Sequence, residues 1–97
     1  MATLHIEHPI TDLPTWLRAF NGFGDARTNA GVRSHRVHQP VDDDRYIYVQ
    51  LDFDTVEAAA AFKGFLESVV WKSAEHSPGL GGTPTARVLN AVDTGAA

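Results

Sequence analysis

Five histidines stand at His5, His8, His35, His38 and His76, and the pairs His5/His8 and His35/His38 invite a metal-binding reading. Both pairs fall in segments with strand character, where successive side chains alternate between faces. A spacing of three therefore sends the two rings to opposite sides. A metal would need a histidine from each of two strands plus a carboxylate such as Glu7 or Asp52, and no recognised ligand spacing is present. The expectation is no metal and no cofactor, with histidines that titrate and hydrogen-bond locally. His5 is the histidine of most interest. It shares a strand face with Glu7, and a neighbouring strand carrying Tyr46 and Tyr48 would set a phenol beside the imidazole. Inside a cavity that pairing can orient a phenolic compound or act as a general base. In the segment 32–39, Arg33, His35 and Val37 share one face and Ser34, Arg36 and His38 the other; the sequence leaves open which face meets a pocket. The candidate ligand-binding residues are His5, Glu7, Tyr46, Tyr48 and His35, and no catalytic residue is singled out.

Other chemistries are excluded by what the chain lacks. It has no cysteine, which removes disulfides, thiolate zinc sites and a cysteine nucleophile, and suits a reducing cytoplasm. No Gly-x-Ser-x-Gly nucleophile elbow occurs. The run Gly79-Leu80-Gly81-Gly82-Thr83-Pro84 lacks the lysine and the strand-to-helix setting of a phosphate-binding loop. It is expected to be a flexible connection that turns the chain or closes over a pocket. Asp42-Asp43-Asp44 is a solvated turn. Eight basic residues against twelve acidic ones, a net charge of −4 and no basic run argue against nucleic acid as a partner. The apolar runs are too short to span a membrane, and the first residues carry no signal-peptide pattern.

The elements that must position these residues are legible from periodicity. Residues 3–8 alternate apolar and polar, and Pro9 removes a backbone donor. Leu13, Trp16, Leu17, Phe20 and Phe23 then recur at helical spacing, with Thr11 or Asp12 as cap and Pro14 in the first turn. Gly24 ends the regular helix, and a short further turn fits 25–30. Val32 to Gln39 predicts a strand, 40–44 a turn and Arg45 to Phe53 the clearest strand, with Ile47, Val49, Leu51 and Phe53 on one face. Asp54 followed by Glu57 resembles a capping box opening a second helix. That helix carries Phe62, Phe65, Leu66, Val69 and Val70, kinks between Gly64 and Ser68, and continues toward His76, with Ser68 as a cap of its second half. Ala86 to Val92 is the last strand. The order predicts an α+β, ferredoxin-like βαββαβ fold: a four-stranded antiparallel sheet with two helices on one face. A single domain is expected over residues 1–93, with a flexible tail at 94–97. The 43% hydrophobic content supports a folded domain.

Two helices cover one face of such a sheet, and Leu4, Ile6, Ile47, Val49, Leu51 and Phe53 are the natural set beneath them. Thr3, His5, Glu7, Tyr46, Tyr48, Gln50 and Asp52 are left on the other face, which a small domain gains by covering with a partner or ligand.

The runs Gly31-Val32-Arg33-Ser34-His35-Arg36-Val37, Val41-Asp42-Asp43-Asp44 and Val49 to Phe62 (VQLDFDTVEAAAAF) carry a resemblance. So do Gly81-Gly82-Thr83-Pro84 and Asp12-Leu13-Pro14-Thr15-Trp16 with Phe20. Together they resemble small bacterial proteins of the dimeric α+β barrel superfamily, which includes the antibiotic-biosynthesis monooxygenases. The resemblance covers most of the chain, and its motifs are structural. It implies a homodimer with two sheets facing each other across a two-fold axis, and a cavity between sheet and helices in each subunit. Haem-degrading members pair a tryptophan and a histidine on the second helix with an asparagine on the first strand. Here the first strand offers His5 and Glu7, and residues 62–66 (FKGFL) place Phe where that tryptophan would stand, so haem is not expected. Trp71 is expected to pack, and His76 to lie near the helix end. Two functions follow as expectations. One is a small-molecule-binding protein, a cofactor-independent monooxygenase or cyclase acting on a planar organic substrate. The other is a non-catalytic binding or structural dimer whose core is filled by Trp16, Phe20, Phe23, Phe62, Phe65 and Trp71. The fold hosts many chemistries and does not choose between them.

Overall fold

The computed structural model describes residues 1–73 and 77–97. β1 (Ala2–Pro9) leads into α1 (Leu13–Gly22) and a short α2 (Gly24–Asn29). β2 (Ser34–His38) and β3 (Tyr46–Phe53) form a hairpin, α3 (Val56–Phe65) runs into a π-helical turn (Leu66–Val70), and β4 (Thr85–Asn90) closes the fold. The sheet order is β2-β3-β1-β4 and every neighbouring pair is antiparallel. This is the ferredoxin-like arrangement expected. Among the described residues there are three α-helices where two were expected, because Gly22 and Phe23 interrupt the first and the chain resumes helix at Gly24.

Alternation decides which residues the helices cover. In β1, Ala2, Leu4, Ile6 and His8 are buried while Thr3, His5 and Glu7 are half-exposed. In β3, Ile47, Val49, Leu51 and Phe53 are buried on the same side, with Phe53, Leu4, Ile47 and Leu51 the largest fully buried side chains. Trp16 from α1 and Ala59 and Phe62 from α3 complete the core. Burying each large side chain contributes about 1.5–3 kcal/mol.

The helix starts follow local rules, with one correction. Asp12 caps α1 by accepting a hydrogen bond from the Thr15 N–H at 2.9 Å. The cap of α3 is Thr55, not Asp54: its hydroxyl accepts from the Ala58 N–H at 3.1 Å. Asp54 is drawn away by Arg33, whose Nη2 lies 2.6 Å from the carboxylate. Ser68 does not cap a second half-helix either. Its hydroxyl donates to the Gly64 carbonyl at 2.7 Å, one turn back. The disturbance expected between Gly64 and Ser68 takes the form of the π-helical turn, closed by the Trp71 N–H to the Leu66 carbonyl at 2.8 Å. The expected continuation toward His76 lies partly outside the described residues.

The glycine-rich run is tied down rather than loose. Gly79 accepts from the Thr11 N–H at 2.8 Å, Gly81 donates to the Pro9 carbonyl at 3.0 Å, and Leu80 bridges Ile10. Gly79 has a φ of +87°, and a Cβ there would stand 2.9 Å from the Trp16 nitrogen. This close approach requires glycine. It brings Ser77, Pro78 and Leu80 against the start of α1, where they form one wall of the cavity.

Candidate functional site

Between the sheet and the helices lies a cavity of about 100 Å³. One water needs about 10–15 Å³ by the same kind of measure, so the space suits several waters or a small ring system. Ile6, Val49 and Leu51 form its floor. Trp16, Phe20, Phe23, Phe62, Phe65 and Trp71 wall it without filling it. The expected filled core is therefore not what these six rings build. Trp16 and Phe20 stack at 5.0 Å between ring centres, and Phe62 packs on Phe53 at 5.9 Å. The π-helical turn is part of the site, since it carries Leu66 and Val70 and sets the position of Trp71.

Among the described residues, three polar side chains reach this apolar space: His8, Arg27 and Ser77. His8 follows Leu4 and Ile6 on the covered face of β1 and is 4% exposed. Its Nδ1 lies 2.8 Å from the Pro9 carbonyl oxygen, which can only accept, so Nδ1 carries the hydrogen. In the neutral ring Nε2 then holds the lone pair, and it has no hydrogen-bond partner among the described residues. Burial pushes the His8 pKa down, with the Pro9 hydrogen bond opposing. The site thus holds a neutral imidazole with a free basic nitrogen, suited to taking a proton from an acidic phenol or enol. Trp16 leans against it, 6.3 Å between ring centres. Ser77 is committed to backbone, donating toward the Val70 and Ser73 carbonyls.

Four of the five sequence-derived candidates lie across the sheet from this cavity. His5, Glu7, Tyr46 and Tyr48 occupy the uncovered face, brought together by the β1–β3 register that sets His5 opposite Gln50 and Glu7 opposite Tyr48. His5 Nε2 is 2.9 Å from Glu7, the Tyr46 hydroxyl donates to Glu7 at 3.0 Å, and Gln50 is 3.3 Å from His5 Nδ1. Both His5 nitrogens are thereby occupied. The network holds the Glu7 carboxyl below its usual pKa, chiefly through His5, while burial first and Glu7 second push the Tyr46 phenol up. It continues through Gln50 and Arg36 to Asp52, which accepts from Thr3 at 2.8 Å, Ser34 at 2.7 Å and Arg36 at 2.7 Å. His35 is the exception. It pairs with Leu51 and so faces the helices, its ring edge-on to Phe20 at 5.2 Å. It lines a second, more polar depression with Gly24, Arg27, Thr28, Arg33 and Ser34.

His8 and Arg27 are the residues that sequence reasoning missed. For His8 a signal existed: it continues the Leu4, Ile6 alternation onto the apolar face. For Arg27, inside a polar six-residue helix, there was none. Among the described residues no three His, Asp or Glu side chains converge as a metal site would require.

No protein-family model and no curated protein sequence matches the chain. Among solved structures, one is a monooxygenase from the gene ActVA-Orf6 of Streptomyces coelicolor, in complex with the ligand Nanaomycin D. It superposes with a TM-score of 0.67 over 99% of this chain and 91% of that one, at 16% sequence identity. Likeness at this identity establishes architecture, and the chain accordingly shares its ferredoxin-like α+β fold with that monooxygenase.

Proposed function

We propose that this protein binds a planar organic compound in the cavity between sheet and helices, and acts on it as a cofactor-independent monooxygenase or cyclase. The observation that carries the reading is the cavity itself: aromatic walls, with one neutral buried imidazole presenting a free nitrogen. Flat rings stack on such walls, and His8 removes a proton from the bound compound. The shared fold with a monooxygenase that holds Nanaomycin D supports the same reading. We further propose a homodimer formed through the uncovered sheet face, where His5, Glu7, Tyr46 and Tyr48 meet the partner, and a cytoplasmic location in keeping with a chain free of cysteine. No helix among the described residues is long and apolar enough to cross a membrane.

Nanaomycin D serves as the first probe. Trp16 and Trp71 line the cavity, so titration should quench tryptophan fluorescence saturably, with one compound per chain. Ala19→Phe, which fills the space beside Phe20, should weaken quenching at least tenfold. His8→Gln should retain binding and slow conversion of any compound that turns over by about 10²-fold or more. Absence of quenching by Nanaomycin D and by a panel of polycyclic phenols, or quenching that Ala19→Phe leaves unchanged, would remove the cavity as the site.

A further inference from the structure

Arg27 is 9% exposed and has no carboxylate within salt-bridge distance among the described residues. Among the described residues the other charged side chain buried to this degree, Asp52, is matched by Arg36 and two hydroxyls. A buried charge is ordinarily paired, because taking it from water unpaired is costly. Arg27 has two contacts instead. One guanidinium nitrogen, Nη1, donates to the Phe20 carbonyl, and the guanidinium carbon sits 3.7 Å from the centre of the Phe20 ring. Its pKa is pushed down by burial alone, with nothing acidic beside it to offset that.

These contacts leave most of the guanidinium unspent. The group has five N–H donors, and Nε and Nη2 have no protein acceptor among the described residues. No buried side-chain nitrogen or oxygen there lacks a partner, so the unpaired nitrogens must retain accessible surface. Arg27 lines both the apolar cavity and the polar depression beside it. Nε and Nη2 together form a planar two-donor edge whose spacing matches the two oxygens of a carboxylate.

From this geometry we infer that the cavity's ligand is an aromatic carboxylate: its ring lies among Trp16, Phe20 and Phe62, and its carboxylate is taken by the free edge of Arg27. The inference rests on the cavity reading above and adds the charge of the compound. The ligand supplies the anion that the fold withholds. Apolar walls on one side and a buried, unmatched fork on the other select against both neutral rings and small free anions. His35, at the edge of the polar depression and against Phe20, flanks the same anionic end.

Calorimetric titration with 2-naphthoate and with its neutral isostere 2-naphthamide, at pH 7.5, tests this. The wild-type protein should bind 2-naphthoate at least tenfold more tightly. Arg27→Gln should bring the two affinities within about twofold of each other. Arg27→Lys, which keeps the charge and loses the fork, should fall between. If Arg27→Gln does not fold, the wild-type protein still decides: saturating 2-naphthoate should shift the Arg27 Nε–H resonance, assigned from Arg27→Lys, and 2-naphthamide should not. Equal affinities in the wild type, or a preference that survives in Arg27→Gln, would overturn the carboxylate assignment and leave the cavity reading standing. Binding of neither compound would overturn both.

Discussion

At the scale of single residues, two buried ionisable groups on opposite faces of the sheet make the protein sensitive to acid in different pH ranges. His8 is buried and its pKa lies below the ordinary value of 6.5, so the unfolded chain binds its proton more readily than the folded one. Stability linked to His8 is therefore complete above that value and is lost as pH falls below it toward the folded pKa. Between pH 7.5 and 5, denaturant midpoints should drop more for the wild type than for His8→Gln. Asp52 is the acidic counterpart. Hydrogen bonds from Arg36 first, then Ser34 and Thr3, hold its carboxyl well below the usual carboxylate range. Its stabilisation is present above an unfolded pKa of about 3.9 and fades as pH falls further. Asp52→Ala should cost about 2–3 kcal/mol at pH 7, because three donors lose a charged acceptor. That gap to the wild type, measured by urea denaturation, should narrow in the acid range.

At the scale of elements, the chain's glycines separate into those that pack and those that do not. Gly79 combines a positive φ with contact against the Trp16 backbone, so Gly79→Ala should destabilise by more than about 2 kcal/mol. Gly64 sits in α3 with open space where a Cβ would go, and Gly64→Ala should stabilise by about 0.5–1 kcal/mol. Thermal melts of the two variants should therefore move in opposite directions. Phe62 tests how α3 sits on the sheet. It is 7% exposed and packs against Phe53 and Phe65, while also bordering the cavity. Phe-to-Ala changes in full cores cost about 3–5 kcal/mol, and the empty flank puts Phe62→Ala near the lower end, about 3 kcal/mol. A Phe62→Ala protein as stable as the parent would show that the register of α3 is wrong. The misassigned cap belongs to this scale as well. Asp54 and Thr55 are adjacent and both competent caps, and the choice fell to Thr55 because Arg33, twenty-one residues earlier, holds Asp54.

At the scale of the whole molecule, four strands and helices on one side leave the other face of the sheet uncovered, the face through which we propose that two copies pair. That face is polar but internally matched: Glu7, His5, Gln50, Arg36 and Asp52 are joined in one hydrogen-bonded chain. Such a surface meets a second copy without stranding polar groups, and Tyr46, Tyr48 and the part-exposed Leu89 supply contact area. Sedimentation equilibrium at micromolar concentration should give twice the mass of one chain. Tyr48→Asp should shift it toward the single-chain mass, by placing a charge beside Glu7 on a face that must be desolvated. A wild-type protein of single-chain mass would remove the barrel assembly.

Much of the architecture was determined locally and could be read from the residues in order. Strand alternation and the 3.6-residue stripe are set by backbone geometry, so Leu4, Ile6, Ile47, Val49, Leu51 and Phe53 declared the covered face, and Leu13, Trp16, Leu17 and Phe20 declared the helix that lies on it. The same alternation set His5, Glu7, Tyr46 and Tyr48 on one face together. What only the tertiary structure decided was where empty space remains. A cavity is the difference between the volume that packed elements enclose and the volume their side chains occupy, and no local pattern encodes that difference. It depends on the offset of α1 from the sheet, on the widened turn after Phe65, and on the Gly79 contact that seats Leu80 beside Ile10. For that reason the cavity is bordered by His8, read in the sequence only as half of a metal pair, and by Arg27. Arg27 is buried because the fold brings its guanidinium over the Phe20 ring, a contact that no local pattern announces.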